Sequence, residues 1–486
     1  MTKYLYGAAV QGIQGFIFQT NELRDIIGAS ELVQQICTTM FDNNFRKDGE
    51  LLVSAAGNIK CLFGSEEQCK NAVLQFPKTV MEAAPGITIS QAVVKTTDEE
   101  INESFQSVVN KLESRLHAQR NHACKSITTG LMSIEQSRKT GLPAVRIDND
   151  EFLDLGTAKK KDLSERGKAT LDLSKIAFGV ANIDVKKLAF NIKDLTDRND
   201  WIAIIHADGN GLGEILAKNG SSKQQLCQFS SKLSEATIAA SQKTYNELSR
   251  ETIKNDEIIP IRPVLLGGDD LTVICRADLA IAFTRSFLLH FESETRQRNI
   301  PLTACAGIAF IKSSYPFHYG CNLAEMLCSR AKKDAKSHKV NCLAPSCLMF
   351  HKVQSSFVEN YDEIARKELT PLPGHSFEFG PYYLNEQKGR WTIDALLNRS
   401  VVLSGKNKDD SKDGNAIKSD IRNWMSLMHD DIGKASQRKN RVLELAKGQF
   451  KDTFIVATTP IEREGKKCYP AYDILSICTI EKLQTK

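Results

Sequence analysis

The chain contains the same hairpin twice. LLVS-AAGN-IKCLF (51–63) and PVLL-GGDD-LTVIC (263–275) each place two short apolar runs either side of turn-forming residues. Short β-prone runs around a tight Gly, Asn or Asp turn read as a β-hairpin. The flanks repeat too. An apolar run from Tyr4 to Val10 precedes the first hairpin, and WIAIIHAD (201–208) precedes the second. Between run and hairpin come glycines and helical periodicity: LRDIIGASELVQQICTTMF in the first copy, GNGLGEILAK and about 223–250 in the second. After each hairpin stand a helix and another strand, about 66–83 with ITISQAVVK (87–95), then about 277–294 with LTACAGIAFI (302–311). Thr97 and Glu100 have capping-box spacing, which predicts a long helix to about residue 124. A further helix is expected from about Leu323 to Lys336. A β-α-β-β-α-β order used twice predicts an α+β chain of two ferredoxin-like domains packed as a pseudo-dimer.

This divides the sequence into a first lobe (1–125), a connecting region (126–200) with a turn at TGLPA, a second lobe (201–350) and a C-terminal domain (351–486). The last is expected to be small and mainly helical, from RWTIDALLN, IKSDIRNWMSLMHDDI and KNRVLELAKG, with GKNKDDSKDGN (405–415) as an exposed flexible loop. With 486 residues, 41% hydrophobic and 25% charged, the chain can bury a core and is not a disordered chain. It has no apolar run of the roughly 18 residues a membrane span needs, and the N-terminus does not read as a signal peptide. No membrane partner is expected. None of the 13 cysteines forms a C-x-x-C pair, which suits reduced thiols in a cytoplasm. Cys342, Cys347 and His351 lack a second pair of ligands at ribbon spacing, so no zinc is expected. A net charge of +5 is compatible with nucleotide or RNA contact without requiring it.

Three carboxylates carry the chemistry. Asp208 ends an apolar strand, and Asp269 and Asp270 sit in the second hairpin turn. In a ferredoxin-like sheet the first strand neighbours the hairpin, so these acids meet. Carboxylates crowded at strand ends repel one another unless a cation lies between them. Mg²⁺ or Mn²⁺ fits hard oxygen ligands and arrives with nucleotide phosphates, and a two-metal arrangement is expected. Gly267 and Gly268 would let a triphosphate approach the backbone, and the start of the following helix, Gly209, Asn210, Gly211 and Gly213, offers phosphate ligands. GNGLG is not a dinucleotide fingerprint, because its spacing is G-x-G-x-G and Asp208 precedes it. Lys332 could reach the triphosphate, or lie on a solvated basic face. His206 shares a strand face with Asp208 but reads as a packed neighbour. In the first lobe Gly57 and Asn58 replace Asp269 and Asp270, and Val10 or Gln11 stands in place of Asp208, so no catalytic metal is expected there. Ser30, in IIGASEL, is a candidate phosphate contact of that lobe.

ADGNGLG, LLGGDDLTVIC and AGIAFIKSSYPFHYGCNLAEMLCSRAKK resemble the second palm domain of the large subunit of type III CRISPR effector complexes. VQGIQGFIFQTNELRDIIGASEL resembles the opening of that family's first palm, SRKTGLPAV the segment between palms, and AYDILSI the ending. The resemblance implies palm domains related to GGDEF cyclases, condensing ATP into cyclic oligoadenylate messengers with loss of pyrophosphate. By its motifs Asp208 and Asp270 would hold the metals with Asp269 assisting, and Lys332 would match the phosphate-binding lysine of an AK motif. The zinc cysteines found between palms in that family are absent here. With the first palm strand read from Tyr4, that family's HD nuclease domain is not expected here, nor is DNA cleavage in cis.

The function expected is a metal-dependent nucleotidyl transferase making a cyclic oligonucleotide from ATP or other NTPs for anti-phage defence, its product read by a downstream effector. Two alternatives stay open: an RNA-binding scaffold subunit that holds a guide RNA and neighbouring effector subunits, and a stand-alone cyclase making cyclic mono- or dinucleotides.

Overall fold

The computed structural model describes residues 1–55, 57–122, 132–164, 171–196, 200–213, 215, 222–251, 257–340, 343–354, 360–404 and 410–481. Strands β1 (Thr2–Gln11), β2 (Gly49–Ala55), β3 (Asn58–Phe63) and β4 (Thr88–Thr97) form one antiparallel sheet in the order β2-β3-β1-β4. Side chains of β1 alternate between two cores: Tyr6, Ala8 and Val10 join the main one, and Leu5 a smaller one with Phe105, Leu112 and Leu116. The first core is covered by α1 (Leu23–Gln35) and α2 (Glu66–Ala83), the second by α3 (Phe105–Arg120).

The connecting region is structured. It holds the hairpin of β5 (Ala144–Asp148) and β6 (Glu151–Asp154), then α4 (Leu155–Ser164) and α5 (Asp172–Phe178). Helix α4 packs on α1, and a Cβ at Gly28 would come within 1.8 Å of the Lys160 carbonyl oxygen.

Strands β7 (Trp201–Gly209), β8 (Ile261–Gly267), β9 (Asp270–Arg276) and β10 (Ala304–Lys312) repeat the first sheet's permutation as β8-β9-β7-β10. Two strands extend this sheet beyond the repeat: β11 (Cys347–Lys352), parallel to β10, and β13 (Tyr382–Tyr383), after the short β12 (His375–Ser376). Long helix α6 (Lys223–Glu251), α7 (Ala280–Gln297) and α8 (Phe317–Ser337) complete the lobe.

The lobes exchange helices. The helix after β1, α1, rests on β8 of the second lobe, and the helix after β7, α6, rests on β2 of the first. Leu226 of α6 joins the first lobe's smaller core, Lys223 pairs with Glu50 at 2.8 Å, and Asn21 accepts from the Phe317 amide at 3.0 Å. The C-terminal part contains α9 (Ile393–Ser404), α10 (Asp410–Asp430), α11 (Ile432–Leu445), α12 (Gly448–Thr458) and α13 (Ala471–Glu481). It also carries a three-stranded sheet, β12-β15-β14, from β14 (Ile461–Arg463) and β15 (Lys466–Cys468).

Three expectations change. The Thr97–Glu100 capping box is present, but its helix ends at Glu103, and α3 restarts after Ser104, whose backbone is not helical (φ −143°, ψ 37°). Helix α8 begins at Phe317, earlier than expected, because Pro316 is extended and sets the entry. The expected loop 405–415 lies outside the described residues over 405–409, while 410–415 open α10, with Gly414 close under the Leu403 carbonyl of α9. Among the described residues no helix is long and apolar enough to cross a membrane.

Candidate active site

Asp208 is the penultimate residue of the central strand β7. The β7–β9 register runs His206↔Thr272 and Ala207↔Leu271, and one further step sets Asp208 opposite Asp270, which closes its own hairpin against Gly267. On its other side Asp208 pairs with Cys305. Period-two alternation turns His206 to the same face as Asp208. One ligand atom from each of His206, Asp208 and Asp270 lies within 4.8 Å of the others. Sequence reasoning brought the two acids together and left His206 out; its i, i+2 spacing from Asp208 was the available signal. The His206 Nδ1 lies 3.1 Å from the Thr272 hydroxyl, and burial lowers its pKa, which favours a neutral ring able to ligate a metal.

Asp269 sits beside this cluster. A Cβ on Gly209 would lie 2.8 Å from both Cβ and Oδ2 of Asp269, so only glycine leaves room for that carboxylate. Burial, then the charge of Asp208, pushes Asp269 up to about 7; burial and the charges of Asp208 and Asp269 push Asp270 up to about 8. Three acids therefore share a site where, among the described residues, Lys332 is the cation that answers them. Lys332, on α8, pairs with Asp208 and donates to the Gly209 carbonyl at 2.7 Å. Burial pulls its ammonium down, but Asp208 outweighs that and leaves its pKa raised. The solvated-face reading of Lys332 does not hold. It reaches Asp208 because α8 lies hard against β10: a Cβ on Gly307 would meet the Ala324 carbonyl oxygen at 1.9 Å.

The turn is clamped from behind. Gly268 has φ +61°, and its carbonyl accepts the Thr237 hydroxyl of α6 at 2.6 Å, a contact the sequence did not suggest. After β7, Gly211 has φ +69° and helical structure starts at Leu212; a Cβ on Gly211 or Gly213 would meet nothing within 4 Å, so the space beside them is open. Two expected contacts point elsewhere. Asn210 is 5% exposed, with its backbone amide on the Thr303 carbonyl (2.8 Å) and its side-chain amide on the Thr303 hydroxyl (3.0 Å), so it latches this loop to the residue just before β10. Ser30 is buried and donates to the Ile26 carbonyl at 2.8 Å, inside its own helix, rather than presenting its hydroxyl to a ligand.

In the first lobe, Ala55↔Asn58 closes the hairpin as Gly267↔Asp270 does in the second. Because Asn58 pairs with Ala9 across β1, Ala9 holds the position of Asp208, one or two residues before the expected Val10 or Gln11. Ala9, Gly57 and Asn58 thus replace the three acids. Oxygen donors from Asp208 and Asp270 with one imidazole suit Mg²⁺ or, with the nitrogen, Mn²⁺.

Residues 201–341 match the family model described as Cas10/Cmr2, second palm domain. No curated protein sequence matches the chain. Among the solved structures that share its fold are three with Csm1. A Csm1–Csm4 cassette in complex with cA4 has 11% identity and a TM-score of 0.58, covering 99% of this chain and 70% of that one. A cassette with pppApApA has 12% identity and a TM-score of 0.59, covering 99% and 69%. The Csm1–Csm4 subcomplex of a type III-A interference complex has 12% and 0.54, covering 100% and 70%.

Proposed function

Residues 201–341 being a Cas10/Cmr2-type second palm domain, we propose that the chain is a metal-dependent nucleotidyl transferase that joins ATP into a cyclic oligoadenylate. The 3′-hydroxyl of one nucleotide attacks the α-phosphate of another, and pyrophosphate leaves. The observation that carries the proposal is the convergence of His206, Asp208 and Asp270 at one sheet end, with Asp269 and Lys332 beside them, in one lobe of a matched pair. Held by Asp208 and Asp270, with His206 and Asp269 at their sides, a divalent cation would lower the pKa of the attacking hydroxyl and offset charge on the pyrophosphate. Lys332 fixes Asp208 and adds positive charge for the phosphates. Gly267 and Gly268 leave their part of the turn without side chains beside Asp269 and Asp270, and the backbone amides at 211–213 would donate to a phosphate. The first lobe, which lacks a counterpart of the acid cluster, supplies the facing surface on which the second nucleotide rests.

In the neighbouring structures Csm1 stands in a cassette with Csm4, and that cassette is seen in complex with one ATP, with cA3 or with cA4. By that likeness we propose that this chain works in the cytoplasm within a type III CRISPR effector, beside guide RNA and other subunits, and that a downstream effector reads its product. The test is incubation with each NTP and Mg²⁺ or Mn²⁺, alone and with partner subunits and RNA, products being resolved by mass. An Asp269→Ala/Asp270→Ala variant is expected to make no product while melting as a folded protein. Synthesis retained in that variant would refute the assignment.

A further inference from the structure

The other end of the same sheet gathers positive charge. Trp201 opens β7 opposite Lys312, the last residue of β10, while Lys352 ends the adjacent β11. At ~3.3 Å per residue, Trp201 lies roughly 23 Å along β7 from Asp208. The ammonium groups of Lys312 and Lys352 each lie 4.5 Å from the centre of the Trp201 ring. Helices α10 and α13 close over them around a cavity of about 790 Å³, which also receives Arg422. Among the described residues lining it, Glu368 is the one carboxylate.

Lys352 is the telling group. It is 7% exposed, and among the described residues no oxygen is within hydrogen-bonding or ion-pairing distance of its ammonium. Its backbone carbonyl is fixed by the Tyr472 hydroxyl at 2.9 Å, so the chain holds it in place. Burial, then the charges of Lys312 and Arg422, pulls its pKa down to about 8. An indole face offsets part of the cost of burying a cation, and an anion would offset the rest for Lys352, whose ammonium meets no acceptor among the described residues.

We propose that this cavity binds a phosphorylated small molecule of nucleotide size, its phosphate between Lys312, Lys352 and Arg422 and its apolar body against Met425, Tyr472 and Leu475. The volume lies in the range of small-ligand pockets, and the walls are largely apolar. A single strand of nucleic acid instead needs a charged groove that tracks its backbone. The site does not depend on what the carboxylate end makes.

Titration calorimetry of the full chain in EDTA, with adenosine 5′-monophosphate and with pyrophosphate as probes, tests this. Lys352→Met should weaken binding at least tenfold, while Asp269→Ala/Asp270→Ala binds as wild type. In the wild-type chain, acetylation of Lys352 at pH 8, read by mass spectrometry, should be suppressed by either probe; this arm does not depend on a variant folding. Unchanged affinity in Lys352→Met, no binding at millimolar probe, or no protection of Lys352 would overturn the proposal. Protection by a single-stranded oligoribonucleotide but by neither small probe would also overturn it, and would assign the cavity to RNA.

Discussion

Asp269 and Asp270 hold protons where ordinary carboxylates do not. Their pKa values, about 7 and about 8, are raised by burial and by Asp208. A cation binding there must displace those protons, so Mn²⁺ affinity should climb as pH rises from 6 and level off above about 8. Calorimetry at pH 7 in two buffers of different ionisation heat should show proton release on the order of one per cation. Asp270→Asn should lower that release, and a pH-independent affinity would contradict the clustering. The acids themselves were legible because a strand end and a two-residue turn are local features. His206 was passed over because a lone histidine in an apolar strand usually packs. Asn210 was misjudged because its partner, Thr303, lies 93 residues away and no local pattern announces it.

At the scale of elements, Gly307 seats α8 and thereby aims Lys332. Gly307→Val would drive methyl groups into the Ala324 carbonyl and the Cys328 amide, with overpacking costs on the order of 1–3 kcal/mol. Its expected signature is a lower melting temperature together with a raised KM for ATP, since the shifted helix carries Lys332 with it. Lys332→Met should raise KM without lowering the melting temperature comparably. Equal KM effects without any stability loss in Gly307→Val would argue against this seating. The two four-stranded sheets were readable because hairpins and βαβ order follow local chemistry. The extension by β11 and β13 was not, since it joins residues 347–352 and 382–383 to the sheet by non-local pairing. The break at Ser104, whose backbone leaves the helical region, interrupts a pattern that reads as one continuous helix.

At the scale of the molecule, Asp473 of α13 ties the C-terminal helices to the second lobe by accepting the Tyr382 hydroxyl at 2.6 Å. Burial pushes this carboxyl up to about 7, above its unfolded value near 3.9. Its contribution to stability is therefore complete below pH ~3.9 and is lost as pH rises through about 7, at up to ~1.4 kcal/mol per unit. Asp473→Asn keeps an acceptor for Tyr382 and removes the titration. The difference in unfolding free energy between variant and wild type should move in the variant's favour from pH 5 to pH 8, measured by urea unfolding. A constant difference would mean that Asp473 is ionised in the fold.

The exchanged helices have a kinetic corollary. Thr237, which clamps the Gly268 turn, rides on the same helix that lies along β2 of the first lobe, where Ala9, Gly57 and Asn58 replace the acid cluster. Active and passive halves are thus covalently paired in fixed proportion, with one acid centre for each. An enzyme assembled from two separate cyclase lobes would lose turnover on dilution as its halves parted. If the proposed synthesis is the chain's own, turnover per molecule should hold constant over a hundredfold dilution of the chain, and a steep fall would show that a second chain completes the centre.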